Sequence, residues 1–189
     1  MPIKRGTSRL VICLPKAGLV IKLPTPKPIV FLLNVKSAIG LGWRSGEMKK
    51  WLRWAAWLGD DNDVAGNVRY TLLNGIYQNW QEYCLWRKTR SPFLEPTHFS
   101  LFGLINVQKY GDQLTEISEG ALWSQMLKLS ERAVWSNGHH FANPENFSYR
   151  DGSIRMLDYG GRGVAEVVEK YGQAIADQFD PDLKPDWET

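Results

Sequence analysis

The sequence predicts an α+β domain, and three observations support this prediction. Short apolar, β-branched segments separated by turn residues lie within the first 25 residues and again near residue 100. Longer segments with helical periodicity cover 67–89, 113–136 and 164–178. The 189 residues are 43% hydrophobic and 23% charged, which is typical of a globular protein with one core or two small lobes.

The N-terminal part begins with a predicted β-hairpin. Residues 8–14 and 19–23 are apolar and β-branched, and the Pro-Lys-Ala-Gly sequence between them favours a turn. The proline-rich segment 24–28 then predicts a rigid connector. We expect a third strand at 29–35 and a loop at 36–46, because three glycines occur in the second segment.

A tryptophan-rich helix is predicted at 46–58, with Trp51, Trp54, Trp57 and Leu58 near one face and basic side chains around it. Such a helix suits a membrane surface or nucleic acid, but packing against its own domain explains the same pattern. The aspartates of the following break, 59–66, resemble the start of a calcium loop. The glycine and the distal glutamate of that loop are absent, so we predict no metal there.

The remaining elements alternate between helices and strands. A long helix is predicted at 67–89 and ends before Ser91-Pro92. Two strands at 96–102 and 104–109 meet at Gly103, and a helix at 113–136 follows. After a loop at 137–146, a tight hairpin turns at Asp151-Gly152, and a last helix at 164–178 precedes an acidic tail.

Charge and cysteine content narrow the class of protein. Residues 1–59 hold eleven Lys and Arg against one acid, and the remainder holds 12 basic and 19 acidic residues. This basic part would attract phosphates, nucleic acid or an acidic partner, or it is simply a solvated surface. Cys13 and Cys84 are predicted to be buried free thiols. With no evident secretory signal or membrane span, we expect a cytoplasmic protein that binds no membrane.

The residues with the clearest chemical pattern lie in 139–160, HHFANPENFSYRDGSIRMLDYG. A Pro-Glu-Asn sequence comes before the tight hairpin, and the hairpin ends on an aspartate followed by Tyr-Gly-Gly. The amide oxygen of Asn146 and the carboxylate of Asp158 are hard oxygen donors held one hairpin apart. Magnesium commonly takes one or two such protein groups together with nucleotide phosphates. We therefore predict a metal-phosphate site here.

This stretch resembles the protein-kinase-like superfamily, including its small bacterial and phage members. Those proteins place a His-x-Asp loop before Pro-x-Asn, and Asp-Phe-Gly after a hairpin. His139 takes the position of the motif histidine, Asn146 matches the metal-binding asparagine, and Asp158-Tyr159-Gly160 is similar to Asp-Phe-Gly. The resemblance implies a minimal two-lobed fold that binds ATP and Mg²⁺.

One position departs from the family pattern. Phe141 stands five residues before Asn146, where the resemblance implies the catalytic aspartate. Phenylalanine cannot accept a proton or orient a hydroxyl nucleophile. His140 is a weak candidate for a substitute base, and we favour the interpretation of both histidines as structural loop residues. Only 29 residues follow Gly160, so we expect no activity on peptide substrates.

The resemblance extends over roughly residues 8–163. Lys22 in Val-Ile-Lys corresponds to the strand lysine that contacts nucleotide phosphates, and Glu82 to the helix glutamate that pairs with it. The implied N-lobe covers 1–111, with the helix 67–89 and the inserted helix 46–58. A reduced helical C-lobe, 112–189, carries the metal-binding hairpin. Lys22 and Glu82 also suit ordinary surface charges on a strand and a helix.

Three functions are compatible with this sequence. The first is a kinase-like nucleotide- and Mg²⁺-binding protein, a pseudokinase or degenerate regulator. The second is an active small phosphotransferase that uses unusual catalytic groups. The third is a non-catalytic protein that keeps the fold and binds a host protein or, less favoured, nucleic acid through its basic, tryptophan-rich part.

Overall fold

The structure is a computed structural model that describes residues 2–56, 68–161 and 163–183. Its strands are β1 (Ile3–Arg5), β2 (Arg9–Leu14), β3 (Leu19–Pro24), β4 (Thr97–Leu101), β5 (Ile105–Lys109), β6 (Phe147–Arg150) and β7 (Ser153–Met156). Its α-helices are α1 (Pro28–Ser45), α2 (Met48–Ala55), α3 (Asn74–Thr89), α4 (Glu119–Leu129), α5 (Gly138–Phe141) and α6 (Val164–Gln178). The described part of the chain is therefore mixed α+β, as predicted.

A five-stranded antiparallel sheet in the order β1-β2-β3-β5-β4 forms the N-terminal part. The predicted hairpin is present as β2 and β3, and Gly18 takes a left-handed φ of 65° in its turn. The second predicted hairpin is present as β4 and β5. Its turn includes Gly103 at φ +79°, with the place of a Cβ only 2.1 Å from the carbonyl oxygen of Ile76. Only glycine fits that turn without strain.

Helix α1 replaces the strand predicted at 29–35 and the loop predicted at 36–46, so both predictions are wrong. Pro28 occupies the first turn of the helix, where its missing N–H costs no hydrogen bond. A short apolar run does not distinguish a strand from a helix, and here it belongs to 18 helical residues. Gly42 allows α2 to pack closely against α1, because a Cβ at this residue would lie 2.9 Å from Cα of Met48.

Helix α2 covers the central part of the helix predicted at 46–58. Trp51 and Trp54 meet edge to face with their ring centroids 6.3 Å apart, and both side chains are half-buried. Trp57, Leu58 and the aspartates at 60, 61 and 63 lie outside the described residues.

A π-helical turn, Arg69–Leu73, leads into α3, so the helix predicted at 67–89 is present over its described part. Helix α3 ends where Arg90 takes a left-handed conformation, one residue before Ser91-Pro92. Its inner face buries Asn79, Glu82 and Leu85. Cys13 is buried as predicted, but Cys84 is exposed because it lies on the outer side of this helix.

The helix predicted at 113–136 is much shorter in the structure. The side chain of Ser118 accepts a hydrogen bond from the backbone N–H of Ala121 and caps α4, which begins only at Glu119. Upstream of that cap, Leu114 donates its N–H to the carbonyl oxygen of Phe147 and runs along β6. The loop predicted at 137–146 contains α5 and the 3₁₀ turn Pro144–Asn146. The hairpin β6–β7 and helix α6 agree with the prediction.

The apolar core and the buried polar groups occupy different parts of the molecule. The largest apolar cluster joins α3, α4, α6 and the β6–β7 hairpin, and it includes Phe93, Leu122, Met126, Phe141, Phe147, Ile154 and Ile175. Between the sheet and α3 the buried groups are polar: Arg9, Lys22, Asn79, Glu82, Asn106 and Gln108. Among the described helices, none has the length and apolar character needed to cross a bilayer.

Candidate functional site

Lys22 and Glu82 form a buried ion pair between the sheet and α3. Alternation along β3 places Val20 and Lys22 on the same, buried face of the strand, and Glu82 of α3 pairs with Lys22 and has 0% of its surface exposed. The Nζ atom of Lys22 lies 2.9 Å from Oε2 and 3.0 Å from Oε1 of Glu82. It also donates to the carbonyl oxygen of Leu157 at 2.6 Å. The two residues singled out from separate segments of the sequence therefore meet.

Arg9 completes this charged cluster, although no sequence motif marks it. Its guanidinium donates to Oε1 of Glu82 at 2.6 Å and to Oδ1 of Asp158, and it contacts Oδ1 of Asn79 at 3.5 Å. Only 5% of Arg9 is exposed. The pairing of β2 with β3 places Val11 opposite Lys22. Arg9 lies two residues before Val11 and therefore shares its face of the sheet, which is the pattern that could have identified it.

The two predicted metal-binding residues lie on either side of the β6–β7 hairpin. The backbone N–H of Leu157 donates to the carbonyl oxygen of Asn146 at 2.7 Å, which places Asp158 one residue beyond the joined strands. The amide nitrogen of Asn146 donates to the carbonyl oxygen of His140 at 3.0 Å. Its amide oxygen is thus the atom that a cation would contact. The side chain of Asp158 is 39% exposed.

Tyr159 and Gly160 hold this aspartate against α3. The backbone N–H of Tyr159 donates to Glu82 at 3.3 Å, and its ring is buried, with the hydroxyl donating to the carbonyl oxygen of Glu95 at 2.6 Å. At Gly160 a Cβ would lie 2.6 Å from the carbonyl oxygen of Gln78. The glycine therefore permits the close contact with α3 that positions Asp158.

Burial and the neighbouring charges act in opposite directions on the pKa values of Asp158, Lys22 and Arg9. Burial opposes ionisation of Asp158, but the positive charges of Arg9 and Lys22 outweigh it and hold the pKa of this carboxyl well below its usual range. Burial lowers the pKa of Lys22, and Glu82 partly compensates. Burial also disfavours the charged form of Arg9. The carboxylates of Asp158 and Glu82 outweigh burial and raise the pKa of Arg9 above its ordinary value. Two cations and two carboxylates leave the cluster with no net charge.

A cleft with a volume of about 530 Å³ opens beside the cluster. Its walls come from the sheet, from α3, from α5 and from both sides of the β6–β7 hairpin. The lining residues with polar side chains include Arg9, Lys22, Gln78, Gln108, Tyr110, His139, His140, Glu145, Asn146 and Asp158. Glu82 lies behind Arg9 and Lys22 and orients them. The structure thus brings every predicted site residue to one cleft or directly behind it.

Helix α5 separates the roles of His139, His140 and Phe141. Phe141 is fully buried in the apolar core, while both histidines line the cleft with their ring centroids 4.1 Å apart. Burial and the neighbouring His139 lower the pKa of His140, which favours its neutral form. Gly161 lies against this ring, since a Cβ there would come within 2.4 Å of Nε2. Phe141, which stands at the position that departs from the motif, therefore packs in the apolar core.

A second buried carboxylate, Glu95, lies near the end of β5 and outside the cleft. It accepts hydrogen bonds from Ser148 at 3.1 Å and from Arg150 at 3.3 Å, and Arg150 also donates to the carbonyl oxygen of Tyr110. Burial raises the pKa of Glu95, although Arg150 opposes the shift. These contacts tie the β6–β7 hairpin to the sheet.

Comparison with known proteins gives no match to a family model, a curated protein or a solved structure. Within the described residues, no group of three or more His, Cys, Asp or Glu side chains is arranged to hold a metal ion.

Proposed function

We propose that this chain is a two-lobed, kinase-like protein that binds a nucleotide in the cleft and transfers no phosphoryl group from it. The observation that supports this most directly is the Lys22–Glu82 ion pair in the wall of a cleft that Asn146 and Asp158 also line. A cleft of about 530 Å³ is within the usual range for a small-molecule site. The sheet would form most of the N-lobe, and α4 to α6 with the β6–β7 hairpin the reduced C-lobe.

Each site residue has a role in this proposal. Lys22 provides positive charge on the phosphate side of the cleft, and Glu82 holds its ammonium group in place. Asn146 and Asp158 offer an amide oxygen and a carboxylate, a donor set that fits Mg²⁺ in type. Bound there, Mg²⁺ would neutralise phosphate charge. Arg9, however, already bonds one oxygen of Asp158.

The absence of phosphoryl transfer follows from α5. Phe141 is buried at the position where the resemblance implies the proton acceptor, and nothing in its side chain can act as a base. His140 is the neighbouring group that could replace it, because it lines the cleft and its neutral form is favoured. An active phosphotransferase built on His140 is therefore the outcome that a turnover assay must exclude.

Thermal melting tests nucleotide binding. A ligand at 100 times its Kd stabilises the fold by about 2.7 kcal/mol, which raises the Tm of a domain of this size by roughly 5–10 °C. We expect Mg-ATP to raise the Tm of the wild type and to have a much smaller effect on Lys22→Met, which lacks the positive charge on the phosphate side of the cleft. A flat response in the wild type would contradict the proposal. Hydrolysis of ATP by the wild type, lost in His140→Ala, would instead support the active enzyme.

A second candidate function, binding of a protein partner, is favoured by the exposed face of α1. Ile29, Leu32, Leu33 and Trp43 recur at helical spacing on this face, and Trp43 is 82% exposed. Helices α1 and α2 together carry five basic side chains and the single acid between them is Glu47. An acidic, partly apolar protein surface would suit this face. Pull-down with wild type and Trp43→Ser tests the assignment, and equal capture by both would oppose it.

A further inference from the structure

We propose that Arg9 replaces the divalent cation in the cleft, so that nucleotide phosphates bind to its guanidinium without a metal. This inference rests on the proposed function, and it concerns how the same cleft recognises its ligand. Arg9 bridges Glu82 and Asp158 from the first position of β2. It thus occupies one oxygen of the carboxylate that Mg²⁺ would need.

The hydrogen bonds of the two buried cations point to Arg9 as the phosphate contact. The ammonium group of Lys22 has three N–H donors, and three acceptors surround it: both oxygens of Glu82 and the carbonyl oxygen of Leu157. Lys22 is therefore saturated. A guanidinium has five donors, and the contacts of Arg9 with Glu82, Asn79 and Asp158 use three. Arg9 keeps donors for phosphate oxygens, which guanidinium groups bind in a fork geometry.

Charge balance argues against an added metal. The cluster of Arg9, Lys22, Glu82 and Asp158 is already neutral, so Mg²⁺ would add two positive charges beside a buried guanidinium. Arginine cannot relieve that repulsion by losing a proton. A metal bound through both oxygens of Asp158 would have to break the hydrogen bond that Arg9 donates to Oδ1. Loss of that bond would leave the guanidinium of Arg9, a residue only 5% exposed, with Glu82 as its one carboxylate partner. Phosphate, in contrast, brings negative charge to a site that keeps unused cationic donors.

Calorimetric titration of ATP into the wild type, in EDTA and in excess Mg²⁺, tests the inference. We expect the two affinities to agree within about threefold. Tight binding in Mg²⁺ with at least tenfold weaker binding in EDTA would overturn the inference and leave the proposed function intact. No binding in either buffer would overturn both.

Titration of Arg9 variants with ATP is a second test of the same inference. In EDTA, Arg9→Met should lose at least tenfold in ATP affinity, and Mg²⁺ should restore part of the loss because Asp158 is then free. Arg5→Met is the matched control, since Arg5 is an exposed basic residue of β1 outside the cleft. Arg9→Lys keeps the charge without the fork, and it covers the case in which Arg9→Met does not fold. Unchanged ATP affinity in a folded Arg9 variant would contradict the proposal.

Discussion

Replacing Glu82 with glutamine removes one negative charge from the centre of the buried cluster and changes the side-chain volume very little. Glu82 is fully buried and is the shared partner of Arg9 and Lys22, at 2.6 and 2.9 Å. In Glu82→Gln only Asp158 remains to balance two cations, so the cluster carries a net positive charge. The substitution therefore tests whether this ion-pair network holds the sheet against α3.

The expected cost follows from the burial of the partners. Leaving a buried charge without its partner typically costs about 3–5 kcal/mol. For a domain of this size that corresponds to a fall in Tm of roughly 6–20 °C. Lys22 can relieve part of the strain by losing its proton, because burial already lowers its pKa and removal of Glu82 lowers it further. Between this lowered pKa and the ordinary lysine value of 10.5, the unfolded chain binds more protons than the folded one. The stability of the variant therefore rises with pH across that window.

Urea denaturation followed by circular dichroism measures the effect at neutral pH and again near pH 10. We expect a deficit of about 3–5 kcal/mol at neutral pH that becomes smaller at the higher pH. Glu169→Gln is the matched control, because Glu169 pairs with Lys88 at 2.6 Å on the surface. Such exposed pairs contribute about 0–1 kcal/mol. A loss in Glu82→Gln no larger than that of the control would refute the account of the cluster.

Three further predictions concern single positions. Gly103→Ala should destabilise the fold more than Gly18→Ala in urea denaturation: both residues have positive φ, which costs about 1–2 kcal/mol, but only at Gly103 does the added Cβ meet backbone. Equal losses would contradict the close contact with Ile76. Phe141→Ala should cost about 3–5 kcal/mol in the same assay, since its side chain is fully buried; a loss below 1 kcal/mol would remove the packing role. Burial raises the pKa of Glu95 above its ordinary 4.5. The free energy of unfolding of the wild type should therefore fall as pH rises from 4.5 to this raised pKa, and Glu95→Gln should lack that decrease. Parallel profiles of stability against pH for the two proteins would contradict this prediction.

The elements that the sequence predicted well are those whose ends carry local turn chemistry. The β2–β3 hairpin is closed by a glycine with positive φ, and the β6–β7 hairpin by Asp151-Gly152, both with positive φ. Helix α6 has an apolar face that alternates clearly with charged residues, and its bounds agree with the prediction. In these segments local and tertiary preferences coincide.

The wrong predictions arose where tertiary contacts decide the conformation. The glycines near residue 40 favour a loop locally, but Gly42 lies inside α1 because α2 contacts the helix at that point. Helix α4 begins late because Ser118 caps it, and the preceding segment runs along β6 instead. Neither contact can be read from a helical pattern in one segment.

The candidate site shows the same division. Lys22, Glu82, Asn146 and Asp158 were identified individually, each from its local pattern or from the resemblance. The cleft that they share with Arg9 became visible only with the strand register and the approach of α3 to the sheet. Arg9 was missed because a single arginine at the start of a strand has no distinctive motif.

Covalent labelling with an acyl-phosphate derivative of ATP shows whether a nucleotide occupies the cleft, because the reagent acylates a lysine amine held beside the bound phosphates. Mass spectrometry then locates the labelled residue. We expect labelling at Lys22 that excess ATP prevents, and no protection by ATP at Lys88, which lies on the surface away from the cleft. Labelling of Lys22 that ATP does not reduce, or ATP-sensitive labelling only at lysines outside the cleft, would contradict nucleotide binding at this site.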